Sequence, residues 1–241
     1  MPNAKRKLIL ILGMHRSGTS VLTHMIHRLG VPLGVTLRAT PDNPDGYFEN
    51  ENLVIVQESL LHALGRTWHS TEPMPDAWRE TDIANEALEI MTKLVAYEFQ
   101  NTDVFAFKDP RTCLLLPLWA HLIESLDLDA RYVVMTRNPH EVAASLAARD
   151  GFTQEKSLAL WQLHMNAIHA HLALVWQTRA DQGKTAQSEA TVIAYDALLD
   201  DPLRTLHKLS VALELSPASE EQLRSAASVV KRDMRHHTIA K

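Results

Sequence analysis

Cysteine is nearly absent from this 241-residue chain, with Cys113 its single example, so an intrachain disulfide and a multi-cysteine metal cluster are excluded. That lone thiol reads as a small apolar packing group, with a catalytic thiol as the alternative, and it fits a reducing, cytoplasmic compartment. Long hydrophobic runs are missing as well. Lys5, Arg6 and Lys7 followed by residues 8–12 have the outline of a signal peptide, but His15 and Arg16 end the apolar run after about seven residues and no small-residue cleavage site follows. Nothing approaches the roughly 20 apolar residues of a membrane span. Charge of one sign is also lacking: 24 Lys and Arg stand against 29 Asp and Glu, so no nucleic-acid partner is expected and an anionic ligand requires a local basic site. The 13 histidines include no H-E-x-x-H and no cysteine–histidine cluster, so no metal site is expected. The five tryptophans read as core or groove-lining residues, and only Trp68 falls in an expected loop.

What is present suits a substantial core. The chain is 46% hydrophobic, and the whole of residues 1–241 reads as one α/β domain, since no linker, repeat or low-complexity segment interrupts it. Short, nearly continuous apolar runs at 8–12, 104–107, 132–136 and 191–195 alternate with helical periodicity, the pattern of parallel strands covered on both faces. The expectation is a central parallel β-sheet flanked by helices in three layers. Helical spacing continues through 53–64, 83–99, 114–126 and 153–179. Gly30 and Gly65 read as helix stops. Asn138, Pro139 and Glu141 resemble an N-cap, a first-turn proline and a capping-box acid, while Asp201-Pro202 and Ser216-Pro217 open two more helices. Residues 40–46 and 66–75 are the longest expected loops.

The chemical signal begins at residues 13–20, GMHRSGTS, between the first strand and its helix. Gly13 and Gly18 permit a tight turn, and a helix start offers free N–H groups and positive potential to an anion. The spacing is that of the nucleotide-binding loop G-x-x-x-x-G-K-S/T, yet Thr19 stands where the lysine belongs and Arg16 supplies the charge earlier. A nucleotide hydrolase also needs an acid after a neighbouring strand to hold magnesium, whereas here the strands run into Lys108 and Arg137. A sulfuryl group carries less charge than a terminal phosphate, so Arg16, the loop amides and the hydroxyls of Ser17, Thr19 and Ser20 suit it. A small-molecule kinase or nucleotide hydrolase with a degenerate loop is the second reading. A non-catalytic nucleotide-binding module is the third.

Three segments, GMHRSGTS, FKDPR at 107–111 and VVMTRNPHEVAASL at 133–146, resemble the P-loop sulfotransferases, in particular a bacterial branch with an R-S-G-T-S loop, and YDALLDDP at 195–202 extends the likeness. The resemblance implies a P-loop NTPase-like fold, 3′-phosphoadenosine 5′-phosphosulfate (PAPS) as co-substrate, and donor contacts from His15, Arg16, Ser17, Gly18, Thr19 and Ser20. It also implies that Arg137 and Ser145, eight residues apart, hold the 3′-phosphate. From the residues alone, a surface ion pair for Arg137 and helix packing for Ser145 are equally good readings. The family's glycine-rich basic C-terminal loop has no counterpart after Ser216. Lys231, Arg232 and Arg235 either replace it or form a solvated tail.

The same resemblance places catalytic roles on Glu49, as the base that takes the acceptor proton, and on Lys108, which stabilises charge with Arg16. His15 is the rival base, with Asp45 and Asp109 behind it. A purely structural Glu49, favouring the start of the next helix, is the competing reading. Asp109 otherwise caps the turn before Pro110, and Arg111 pairs with an acid at the surface or touches an anion. The acceptor stays open among small molecules, carbohydrates, lipids and peptides, and so does the oligomeric state.

Overall fold

The structure is a computed structural model that describes residues 5–39, 46–181 and 190–231. Asp45, Arg232 and Arg235 lie outside the described residues. Four parallel strands, β1 (Lys7–Leu12), β2 (Val104–Lys108), β3 (Asp129–Thr136) and β4 (Ala190–Ala194), form a sheet in the order β2-β1-β3-β4. In the central strand Leu8 to Leu12 are essentially inaccessible to solvent, which explains its unbroken apolar sequence. Side chains alternate between the faces. Leu8, Leu10 and Leu12 join one core cluster with Phe105, Phe107, Tyr132 and Val134, whereas Ile9 and Ile11 join a second with Ala106, Val133, Met135 and Ile193.

Helices cover both faces. The first cluster takes in α2 (Glu51–Ala63), α3 (Asp82–Glu98), α4 (Thr112–Ser125) and α6 (Gln154–Asp181), with Trp119 stacked on Phe107 at 4.6 Å between centroids. The second takes in α1 (Thr19–Arg28), α7 (Tyr195–Asp200), α8 (Pro202–Ala212) and α9 (Glu220–Ala227). The three-layer α/β expectation is met. Among the described residues no helix is long and apolar enough to cross a membrane.

Local signals set the helix ends, with three departures from the sequence reading. Asn138 caps α5 (Pro139–Asp150) by accepting from the His140 N–H, with Pro139 at its first turn and Gly151 closing it at φ 69°. Glu141 does not complete a capping box. Its Oε2 accepts from Arg137 Nε at 3.0 Å, because a buried guanidinium is a stronger partner than a backbone amide. Tyr195 opens α7 instead of ending β4. The last helix begins after Ser219, not at Ser216-Pro217, because Ser219 and Gln222 form a reciprocal capping box.

Parallel pairing sets Ile11 beside Lys108, Leu12 beside Val134 and Thr136 beside Ala194. All four carboxyl ends therefore meet at one sheet edge, where they deliver Gly13, Asp109, Arg137 and Tyr195. From β1 the chain crosses to β2 on one side, while β3 pairs on the other. Such a switch in direction leaves a crevice at the strand ends.

Candidate active site

The loop after β1 depends on two glycines. Gly13 sits at φ 150°, where a Cβ would lie 2.8 Å from the Met135 carbonyl oxygen. Gly18 sits at φ 92°, and a Cβ there would lie 2.3 Å from the Tyr195 ring. Gly18 is also the N-cap of α1 and offers no side-chain acceptor, so the first-turn amides of this helix are uncapped by it. Arg16 adopts φ 67°, a conformation that costs a non-glycine residue on the order of 1–3 kcal/mol and that recurs at functional sites.

Arg16 links the loop to α5. Its Nε donates to Ser145 Oγ at 2.8 Å, and its carbonyl accepts from Arg137 Nη1 at 3.1 Å. The Arg137 guanidinium lies 4.5 Å over the Tyr195 ring, and its Nη2 is buried with no hydrogen-bond partner among the described residues. Burial, and then the nearby Arg149 and Arg137, push the Arg16 pKa down. A concentration of like charge in a cleft is relieved by an anion. Arg149, one helical turn beyond Ser145, joins this end of the cleft and lies over the Trp68 ring at 5.4 Å. The sequence reading missed it, although the spacing from Ser145 already puts both on one face of α5.

The other end of the cleft is organised by Lys108. Its Nζ donates to Glu49 Oε1 at 2.7 Å, to the Tyr47 carbonyl at 2.6 Å and to Ser20 Oγ at 3.1 Å. Lys108 and Glu49 are both buried. Arg111 is not the surface pair expected: its Nη1 lies 3.0 Å from Asp109 Oδ1 and 3.9 Å from Glu49 Oε2, and its Nη2 lies 3.7 Å from Glu58. Asp109 does cap its turn, accepting the Arg111 N–H, and it also accepts from Gln57 at 2.7 Å. Burial, followed by the Glu49 charge, raises the Asp109 pKa to about 6.

His15 is half-buried and packs at a tilt against Trp68, 4.3 Å between centroids. Burial, reinforced by Arg111 and Arg149, lowers its pKa well below the usual value, which weakens it as a base. Cys113 is buried beneath the loop with its thiol directed at the Gly13 carbonyl, and burial pushes its pKa up to about 12. It behaves as a packing residue.

A cleft of about 870 Å³ connects the two ends. His15, Arg16, Gly18, Thr19 and Ser20 line it, together with Glu49, Lys108, Arg137 and Ser145. Ser17 does not. Its hydroxyl is buried behind the loop and has no hydrogen-bond partner among the described residues. Among the described residues no group of three or more His, Cys, Asp or Glu side chains is placed to hold a metal ion.

The fold is similar to those of solved bacterial enzymes. The sulfotransferase domain of the curacin biosynthetic pathway superposes with a TM-score of 0.56 at 16% identity, covering 89% of this chain and 76% of that one. The sulfotransferase domain of the Synechococcus PCC 7002 olefin synthase gives 0.55 at 17%, covering 98% and 86%. A sulfotransferase of Mycobacterium tuberculosis gives 0.59 at 17%, covering 93% and 71%. No curated protein matches the sequence. The sequence profile of the sulfotransferase family, however, matches residues 9–219, and the chain belongs to that family of sulfuryl-transferring enzymes.

Proposed function

We propose that this enzyme takes its sulfuryl group from PAPS and passes it to an acceptor hydroxyl or amine. The observation that carries this reading is the position of Lys108, whose one ammonium touches both a hydroxyl of the anion loop and the Glu49 carboxylate. Donor loop, charge stabiliser and base therefore form one contact network. The residues suit a nucleotide with two separate anionic groups. Arg16, Thr19, Ser20 and the first-turn amides of α1 face the phosphosulfate, while Arg137 and Ser145 face the 3′-phosphate. The buried, unpartnered Arg137 Nη2 is a donor that such a phosphate would satisfy.

The bound donor supplies the transferable sulfuryl group and a 5′-phosphate leaving group. The acceptor oxygen forms a bond to sulfur as the bond from sulfur to the bridging phosphate oxygen breaks. The products are a sulfate ester and 3′-phosphoadenosine 5′-phosphate (PAP), with no change of oxidation state. Glu49 takes the acceptor proton. Its Oε1 is engaged by Lys108, and its Oε2 makes only the long Arg111 contact among the described residues, so Oε2 is the atom with room for the proton. Lys108 and Arg16 offset charge that grows on the leaving oxygen, in a low-dielectric cleft where fixed cations act strongly. A single buried thiol suits a reducing compartment such as the cytoplasm.

The direct test is release of PAP from PAPS in the presence of an acceptor panel and a chelator, with magnesium and ATP as the parallel condition. PAP release that persists with chelator supports the reading. Magnesium-dependent ATP turnover without PAP release contradicts it and supports phosphoryl transfer.

A further inference from the structure

The two ends of the cleft differ in charge and in polarity. At the donor end three guanidiniums, those of Arg16, Arg137 and Arg149, gather around Ser145, with Glu141 and Asp150 the carboxylates paired to them. At the Glu49 end the two cations, Lys108 and Arg111, are already committed to three carboxylates, Glu49, Asp109 and Glu58. An incoming anion meets no uncompensated positive charge there among the described residues. The carboxylates that line this end, Glu49 and Glu58, offset the charges of Lys108 and Arg111, so nothing there attracts it.

The remaining wall at this end is apolar. Leu37 is fastened to Glu49 by its N–H, which donates to the Glu49 carbonyl at 2.9 Å. Val54 and Ile55, the fourth and fifth residues of α2, also line the cleft, and that helix starts at the Asn50 cap that succeeds Glu49. Ile55 is 56% exposed, the most open of the exposed isoleucines among the described residues, and it lines this cleft. A lone exposed isoleucine is ordinary. One that continues a strip from Leu37 and Val54, beside a buried base, is a surface for a ligand.

On the reading that this is a PAPS-dependent transferase, we infer that the acceptor is an uncharged alcohol with an apolar body, of the long-chain aliphatic type. Its hydroxyl meets Glu49, and its carbon chain lies on Leu37, Val54 and Ile55. The oxygen gains the sulfuryl group and yields its proton to Glu49, so the product is an anionic alkyl sulfate. That product is not matched to an end whose cations are already paired to carboxylates, which favours its departure. Anionic saccharides and acidic peptides are the acceptors that this charge distribution rejects.

The test uses the full chain with PAPS and primary alcohols of increasing length, alongside glucose and a glucuronate-containing saccharide, with PAP binding measured separately by calorimetry. The expected kcat/KM rises with chain length by about fourfold per buried methylene until the strip is covered. In Ile55→Asp the decanol-to-ethanol ratio collapses at least tenfold, while PAP affinity stays within about threefold. Wild-type protein that binds PAP but shows no chain-length dependence, no transfer to any alcohol, or faster transfer to the glucuronate saccharide overturns this inference and leaves the donor reading standing. Absence of PAP binding overturns the donor reading and this inference with it.

Discussion

Lys108 and Glu49 form an ion pair of 2.7 Å whose side chains are 1% and 9% exposed, and Lys108 also reaches Ser20 of the glycine loop. A pair this deep is expensive to desolvate, and removing one charge typically costs 3–5 kcal/mol because the other is left unpaired. Glu49→Gln therefore has two expected effects. It lowers thermal stability, and in the remaining folded protein it lowers kcat by about 10²- to 10³-fold through loss of the base. PAP affinity stays within a few-fold, since glutamine still accepts a hydrogen bond from Lys108. Unchanged turnover at a temperature where the variant is folded removes Glu49 from the chemistry.

The proposed 3′-phosphate site has a selective test. Arg137→Ala should weaken PAP by about 10- to 100-fold, the range of a charge-assisted, partly buried contact, and weaken the analogue without a 3′-phosphate by less than about threefold. Titration calorimetry with both nucleotides reads the difference. Equal losses mean that Arg137 supports the loop through the Arg16 carbonyl and holds no phosphate.

Gly18→Ala places a methyl group 2.3 Å from the Tyr195 ring at φ 92°. Both faults act on the same turn, so a loss of at least about 2 kcal/mol of stability is expected. Donor binding should weaken with it. Gly65→Ala, at φ 67° with open space around it, is the control for backbone strain without a clash. Urea unfolding compares the two, and similar losses would show that the Tyr195 contact contributes nothing.

The buried histidines make stability depend on pH. Burial lowers the His164 pKa to about 4 from 6.5, and His171 behaves alike. The native state then binds fewer protons than the unfolded chain between these values. The stability they contribute is complete above about 6.5 and is lost as pH falls toward about 4. Asp109, raised to about 6 from 3.8, acts in the opposite sense and costs stability as pH rises through that range. His164→Leu should reduce the slope of unfolding free energy against pH by up to about 1.4 kcal/mol per unit between pH 4 and 6.5. An unaltered slope would mean that this imidazole titrates normally.

Much of this arrangement is legible before any coordinates. Parallel strands buried on both faces appear as continuous apolar runs, so β1 to β3 stand out. The G-x-x-x-x-G turn announces an anion loop by its glycines, and the Asn138-Pro139 start of α5 is written in its capping chemistry. The failures have physical causes as well. Tyr195 favours strands by propensity, but its ring is needed against Gly18 and Arg137 at a helix start. Ser216-Pro217 carries a familiar opening signal, yet the reciprocal Ser219–Gln222 bonds satisfy two amides and prevail. Arg111, Glu58 and Gln57 find partners distant in sequence, whereas Glu141 pairs locally with Arg137, four residues earlier. No local pattern reveals a wall assembled from Leu37 and α2.

The central claim is that the cleft is a two-anion nucleotide site. Calorimetric titration of the wild-type protein with PAP, set beside adenosine 5′-phosphate, measures it most directly. The account predicts saturable PAP binding that is at least tenfold tighter than that of the nucleotide lacking the 3′-phosphate. No detectable binding at millimolar PAP, or equal affinity for the two nucleotides, would contradict it.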